Sequence, residues 1–185
     1  MKKQLRVMPA VFPMPVLMVG TYDEDGTVDV MNAAWGQICG MDKITLCLTE
    51  SHKTVKNLKK TGAFTVALAD AAHLKEADFF GIASGNDDPE KFKKSGLTAV
   101  KSGKVNAPII AEFPVVMECE LIELTPYGVV GKIVGVAADE AILDETGKID
   151  VEKAGIILFD QFKAGYYTIG EKVGQAWNAG KDLMK

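Results

Sequence analysis

The sequence predicts a mainly β fold, an antiparallel barrel with helices at its periphery. Strand patterns recur along the chain, and several of them are joined by short turns that contain glycine, as in β-hairpins. Helical patterns are few and are inserted between strands, which favours an antiparallel barrel over a parallel sheet. No repeat, low-complexity segment or linker divides the 185 residues, so we expect a single domain over residues 1–185.

The first half of the chain is predicted to contain four strands and one helix. A turn at residues 23–26, with Gly26 at the position of positive φ, joins the first two strands into a hairpin. Ser51 is expected to cap the helix, and Gly62 is expected to end it. The predicted strands cover residues 16–22, a segment from residue 28 onward, 44–49 and 64–68, and the helix runs through residue 60.

The second half is predicted to contribute two helices and the two longest strands. A short helix begins near Pro89 and ends at Gly96, because proline suits the first turn of a helix and glycine its end. Both helices are expected to cover the sheet. Helical patterns cover residues 70–80 and part of 84–98, the long strands cover 115–124 and 128–137, and a further turn lies at 144–147.

Composition argues against several functional classes. The formal net charge is -4 and the pI is near 5.3, so no basic face indicates a nucleic-acid partner. No segment approaches the roughly 20 apolar residues of a membrane span, and prolines interrupt the apolar N-terminal stretch, unlike in a signal peptide. Three cysteines without CxxC spacing predict buried thiols in a reducing cytoplasm and no metal site.

The segment "VDVMNAAWGQICG" at residues 28–40 places Asn32, Ala33, Ala34 and Trp35 where a strand pattern weakens. One interpretation is a strand end covered by a buried tryptophan. In the other, the methyl-sized side chains let a ligand approach the backbone, while Asn32 and Trp35 offer hydrogen-bonding groups beside it. The segment by itself leaves both interpretations open.

The predicted helix start "ESHKTVKNLKK" is unusually basic. A helix N-terminus carries partial positive charge and ordinarily attracts acidic residues, yet His52, Lys53 and Lys56 lie in the first turns. The hydroxyls of Ser51 and Thr54, the free backbone N–H groups and the Lys53 ammonium would together bind a phosphate. The alternative is a basic surface helix exposed to solvent.

Other chemical motifs are weak or missing from the sequence. Gly81, Ser84 and Gly85 could form a backbone turn against a ligand, but no dinucleotide-binding, P-loop or nucleophile-elbow pattern occurs. His73 is interpreted as structural or surface-exposed, and with two histidines a histidine-based metal site is not expected. Carboxylates are expected to be solvated on turns and helix ends. A phosphate cradle without a protein-borne catalytic group favours a protein whose cofactor carries the reaction.

At this point the chain resembles the flavin reductase-like family, and within it the flavoredoxin-type FMN-binding split barrels. The resemblance covers nearly the whole chain through five segments in the family's order. They are "PMPVLMVGTYDEDGTVDVMNAAW", "ESHKTVKNLKKTGAFTVAL", "GIASGNDDPEKFKKSGLT", "APIIAEFPVVMECEL" and "GYYTIGEKVG". The resemblance implies a split β-barrel with a Greek-key element, a homodimer, and FMN held non-covalently in a groove near the subunit interface.

The resemblance also assigns roles to eleven residues. The segment expected beside the flavin ring is Asn32, Ala33, Ala34 and Trp35. The phosphate-binding segment is Ser51, His52, Lys53 and Thr54, although relatives often have arginine near the histidine position. A third segment provides Ser84, Gly85 and Lys91, where an aspartate commonly precedes the lysine and this chain has Pro89 and Glu90.

The function implied by the resemblance is that of an FMN-dependent oxidoreductase. NADH or NADPH would donate hydride to the flavin, which would pass electrons to a free flavin, a small molecule or a protein. An electron-transfer or flavin-carrier protein without useful nicotinamide activity is the alternative from another class. A pyridoxamine-phosphate-oxidase-like enzyme would need a second phosphate site, which the sequence does not show. No residue pattern indicates whether NADH or NADPH is the donor, and none identifies the electron acceptor.

Overall fold

The computed structural model describes residues 1–184, and its regular elements are predominantly β-strands. The strands are β1 Met14–Pro15, β2 Leu17–Tyr22, β3 Val28–Ala33, β4 Gly36–Gly40, β5 Lys43–Leu46, β6 Ala63–Leu68, β7 Ala99–Lys101, β8 Pro108–Ile110, β9 Val115–Thr125, β10 Gly128–Ala138, β11 Ile157–Asp160 and β12 Gly165–Thr168. The α-helices are α1 Lys53–Thr61, α2 Leu74–Ile82 and α3 Lys91–Ser95.

A curled antiparallel sheet is the body of the fold. Its strand order is β3-β2-β6-β9-β10-β5-β4, and two small sheets, β1-β11-β12 and β7-β8, flank it. The curl brings β4 back toward β2: a Cβ added to Gly36 would lie 2.9 Å from Leu17 Cδ1 and 2.6 Å from Leu46 Cδ2. The predicted mainly β barrel with peripheral helices is therefore confirmed.

Apolar side chains fill both faces of this sheet. On the concave face, Phe64 and Val66 pack in one cluster with Val55 and Leu58 of α1. On the other face, a second cluster includes Phe80 of α2. Because both faces are covered, β2 is buried along nearly its whole length and does not alternate between apolar and polar residues.

Turn and helix-end glycines behave as predicted. Gly26 has a φ of 84° in the β2–β3 hairpin, and Gly62 and Gly96 have φ angles of 67° and 74° directly after α1 and α3. The long β9–β10 hairpin is also present, with Gly128 paired to Thr125. Glycine fits these positions because it lacks the Cβ that makes positive φ costly for other residues.

Two predicted helix starts are wrong. Ser51 does not cap α1: His52 occupies the N-cap position, no side chain caps the helix, and Ser51 Oγ lies 2.9 Å from Thr49 Oγ1. The second helix begins at Leu74, later than predicted, because Asp70 forms a β-bridge with Ile156 and cannot join the helix. The short strands β4, β7, β8, β11 and β12 were not predicted.

The cysteine prediction is wrong for two of three residues. Cys119 is buried, and burial raises the pKa of its thiol to about 12. Cys39 on β4 and Cys47 after β5 are exposed. Across residues 1–184, none of the helices combines the length and the apolar character needed to span a membrane.

Candidate functional site

A groove of about 430 Å³ opens between the end of β3, the start of α1 and the loop after α2. This volume lies within the usual range for small-molecule and cofactor sites. The structure brings ten of the eleven residues predicted for the site to its walls. They are Asn32, Ala33, Ala34, Trp35, His52, Lys53, Thr54, Ser84, Gly85 and Lys91. Ser51, which is exposed, is not among the residues that line it.

The start of α1 presents unpaired donors to the groove. Its first-turn N–H groups have no intrahelical acceptors, as at any helix N-terminus, and neither a capping side chain nor an acidic first-turn residue compensates them. His52 lines the groove, and its Nδ1 atom is buried without a hydrogen-bond partner among the described residues. The local charge and the free donors therefore suit an anionic group.

The cation of Lys53 is already engaged in the protein alone. Its Nζ forms an ion pair with Asp23 Oδ2 in the β2–β3 turn, and both side chains are about a quarter exposed, at 26% and 22%. The hydrogen bond from Lys53 is the main cause that holds the pKa of Asp23 below its ordinary value. The Asp23 carboxylate therefore remains charged at neutral pH and faces Lys53 at the partly exposed edge of the groove, called the rim below.

A buried carboxylate that sequence reasoning missed lies beneath the groove. Asp29 of β3 is only 4% exposed, although carboxylates were expected to be solvated, and that expectation is wrong here. Its Oδ2 accepts a hydrogen bond from Thr54 Oγ1 at 2.9 Å, and its Oδ1 lies 2.9 Å from Lys91 Nζ. The Thr54 hydroxyl proton is thus used within the protein, which leaves the Thr54 backbone N–H to face a ligand.

Of the two glycines in the groove wall, Gly85 allows a close approach that a side chain would prevent, and Gly81 does not. A Cβ added to Gly85 would lie 2.3 Å from Asp29 Oδ1, so any side chain there would displace the buried carboxylate. Gly81 on α2 lies against Asn32, where an added Cβ would make ordinary contacts at 3.5 Å or more. Gly85 is therefore required by packing, and its open face remains part of the groove.

The Asn32 to Trp35 segment has mixed roles. Asn32 Nδ2 donates a hydrogen bond of 3.0 Å to the Ala77 carbonyl of α2, which fixes the orientation of the amide. Ala33 is 6% exposed and belongs to the concave core, whereas Ala34 is half-buried. Trp35 is 52% exposed, so the interpretation of a strand end covered by a buried tryptophan is wrong.

Eight further residues, which were not predicted as cofactor contacts, also line the groove. They are Asp29, Met31, Cys47, Leu48, Phe80, Gly81, Ile82 and Ala83. Cys47 reaches the groove because its N–H donates to the Trp35 carbonyl at 2.7 Å, which holds the β5 end against the β3–β4 bend. No local pattern predicts this contact. The apolar positions of α2 could have been inferred only from knowing which face of the helix meets the sheet.

Two polar pairs involve α2 or the residue directly before it. Tyr166 of β12 donates a hydrogen bond of 2.9 Å to Asp78 Oδ1, and burial, followed by that carboxylate, raises the pKa of Tyr166 to about 12. His73 lies directly before α2, with its Nδ1 2.8 Å from Asp70 Oδ1. Within residues 1–184, no cluster of three metal-ligating side chains is present.

Comparison with known proteins gives a consistent picture. The model of the flavin reductase like domain matches residues 8–161. Flavoredoxin of Desulfovibrio vulgaris (Miyazaki F) is 35% identical with a TM-score of 0.94, and the match covers 97% of this chain and 100% of that one. An FMN-binding domain of a flavin reductases-like enzyme from Shewanella baltica OS155 shares the fold, with a TM-score of 0.76 and 23% identity over 87% of this chain and 88% of that one.

Among curated sequences, an uncharacterised protein of Aeropyrum pernix is 29% identical over 125 residues. The match includes 66% of this chain but 46% of the archaeal protein. The chain therefore spans about half the length of that relative.

Proposed function

The chain belongs to the flavin reductase-like domain family, and on that premise we propose that it is an FMN-binding oxidoreductase. NADH or NADPH is the proposed electron donor, and a flavin, a small molecule or a protein is the proposed acceptor. The observation that carries the proposal is the uncapped start of α1, which offers free N–H groups and a lysine to one end of a cofactor-sized groove.

The residues in this groove fit a phosphorylated flavin. The α1 start supplies donors for a phosphate, and His52 lines the same groove. Half-buried Ala34 and exposed Trp35 provide a small and a flat surface beside the same groove. A planar ring and an anionic tail therefore have matching environments within one site.

When bound, the flavin would supply the redox chemistry, taking two electrons as hydride and releasing them to an acceptor. The protein's contribution is positioning and electrostatics. The α1 N–H groups fix the phosphate, and Ala34 leaves room for the ring. Asp29 of β3 joins α3 through Lys91 and α1 through the Thr54 hydroxyl beneath the site.

The visible spectrum and a rapid-mixing experiment test this function. Purified protein, or apoprotein titrated with FMN, should show flavin absorbance bands and bind FMN stoichiometrically. Rapid mixing with NADH and, in a separate experiment, with NADPH should bleach those bands with at least one of the two donors, at a rate fast enough to account for turnover. Lys53→Ala should weaken FMN binding, whereas Lys59→Ala, on the same helix and paired with Glu50 at 3.2 Å, is the matched control. A protein that binds no flavin contradicts the proposal.

A second candidate is an electron-transfer protein with bound FMN and no useful nicotinamide activity. The similarity to the Desulfovibrio flavoredoxin over nearly the whole chain favours it. Rapid mixing separates the two candidates: a flavin that stays oxidised with both nicotinamides but reacts with a chemical reductant supports the electron-transfer protein.

A homodimer is also proposed, on the basis of an exposed edge strand beside the groove. All residues of β4 after Gly36 are exposed, including Ile38 at 56%, and neighbouring Trp35 and Met41 are exposed as well. An apolar edge strand of this kind is suited to pairing with a second chain. Sedimentation velocity at micromolar concentration should show a dimer, and a monomer that binds FMN stoichiometrically would contradict this interface.

A further inference from the structure

The two lysines of the groove differ in how firmly the protein holds them. Lys91 and its partner Asp29 are almost fully buried, with side chains 3% and 5% exposed. Lys91 Nζ also lies 3.4 Å from the Ala83 carbonyl. Removing one member of such a pair would leave an uncompensated buried charge, so a ligand cannot readily draw Lys91 away from Asp29.

Lys53 is held at the rim by an exchangeable partner. Asp23 and Lys53 both remain about a quarter exposed, and water can replace either partner. The aspartate is fixed in position by its turn, in which Asp23 N–H donates to the Thr27 carbonyl at 2.8 Å and the Asp23 carbonyl accepts from Gly26 at 3.0 Å. The lysine side chain is therefore the mobile member of the pair, since four rotatable side-chain torsions separate its ammonium from the helix backbone.

An incoming phosphate at the α1 start meets Lys53 already bound to a carboxylate. The ammonium can satisfy the phosphate fully only by releasing Asp23, or it must share its donors between two anions. Either way, the Asp23 carboxylate lowers the part of the FMN affinity that comes from the phosphate. Because Asp23 does not line the groove, it should leave the part that comes from the flavin ring unchanged.

We propose that Asp23 is a specificity-determining residue that competes with the ligand's phosphate for Lys53 and so limits the preference for FMN over riboflavin. This inference rests on the proposed function, because it places the flavin phosphate at the start of α1. Asp23 keeps binding of phosphorylated flavin weaker than the groove could otherwise achieve, which favours exchange of the flavin.

The test compares FMN with riboflavin in fluorescence titrations of apoprotein variants. Asp23→Asn removes the competing charge but keeps an oxygen that can accept the Glu24 N–H, which Asp23 Oδ1 accepts at 2.7 Å. Asp25→Asn is the matched control: it removes one charge from the same turn, and its Oδ1 bonds the Thr27 N–H at 2.9 Å. Thermal melting of each apoprotein verifies that the variants are folded.

We expect Asp23→Asn to bind FMN about two- to fivefold more tightly, the factor that a partly exposed ion pair is worth. Riboflavin affinity and the Asp25→Asn control should stay within experimental error of wild type. In a Lys53→Met background, Asp23→Asn should lose most of its effect, because the competition requires the ammonium.

Three results would overturn the inference while leaving the proposed function intact. Asp23→Asn could weaken FMN binding, which would make Asp23 a residue that positions Lys53. It could strengthen FMN and riboflavin equally, or match Asp25→Asn, which would make the effect one of overall charge. If wild-type protein binds no FMN, the proposed function itself fails, and the inference fails with it.

Discussion

Replacing Lys91 with methionine should destabilise the apoprotein far more than the same change at Lys53. Lys91→Met leaves Asp29 buried with Thr54 as its remaining close partner, and breaking a buried ion pair in this way costs about 3–5 kcal/mol. Lys53→Met breaks a pair at the rim whose members are about a quarter exposed, which is worth about 0–1 kcal/mol. The two substitutions remove the same charge and nearly the same volume.

For a domain of 185 residues, the unfolding entropy is about 0.4 kcal/mol/K. Lys91→Met should therefore lower the Tm by roughly 8–13 °C, and Lys53→Met by less than about 3 °C. Urea unfolding of both apoproteins supplies the free energies, and an unchanged m-value confirms that the comparison is valid. Equal losses in the two variants would refute the distinction between a buried, fixed lysine and an exchangeable one.

The remaining predictions concern the packing of the groove and the effect of pH. Gly85→Ala should lower apoprotein stability by about 1–3 kcal/mol, because its Cβ would lie 2.3 Å from a buried carboxylate oxygen; Gly103→Ala, with open space around it, is the control, and equal melting of the two contradicts the packing argument. Ala34→Leu should weaken FMN binding with little change in melting, whereas Ala33→Leu should lower melting, and normal FMN affinity in both variants would exclude contact with the ring. Because the pKa of Tyr166 is raised to about 12, its contribution to stability is complete below about pH 10 and is lost as the pH rises toward 12; Tyr166→Phe should therefore flatten the stability profile over this interval, and identical profiles for the variant and wild type would contradict the assignment.

Local sequence signals predicted the parts of the fold that local chemistry determines. Gly26, Gly62 and Gly96 were identified as turn or helix ends because positive φ is costly for other residues, and all three have it. The long β9–β10 hairpin carried its own apolar pattern and turn. These features need no information from elsewhere in the chain, so they can be inferred from short windows of sequence.

Features that depend on distant partners were not predictable in the same way. Asp29 sits within a strand pattern as an ordinary polar residue, and only Lys91 and Thr54, brought to it by folding, explain its burial. Ser51 is a good capping residue by type, but its hydroxyl lies against Thr49 and His52 occupies the cap position. In each case a tertiary contact overrides a local preference.

The residues of the candidate groove were partly predictable from local sequence and partly dependent on distant partners. The basic α1 start, the small residues after β3 and the glycine near the end of α2 each had a local peculiarity, and the structure brings them to one groove. Residues without such a peculiarity, Cys47 among them, could not be assigned to it from sequence. A site residue could therefore be predicted from sequence only where its residue type was unusual for its own helix, strand or turn.

The small residues between the end of β3 and the start of β4 show why the two interpretations of that segment could not be separated by sequence. Ala33 packs in the concave core and also touches the groove wall, and Gly36 is small because a Cβ there would lie 2.6 Å from Leu46 and 2.9 Å from Leu17. Ala34, between them, is half-buried and lines the groove. Core crowding and access for a ligand thus select the same side-chain size at neighbouring positions, and only the direction of each residue, set by the bend between β3 and β4, distinguishes the two causes.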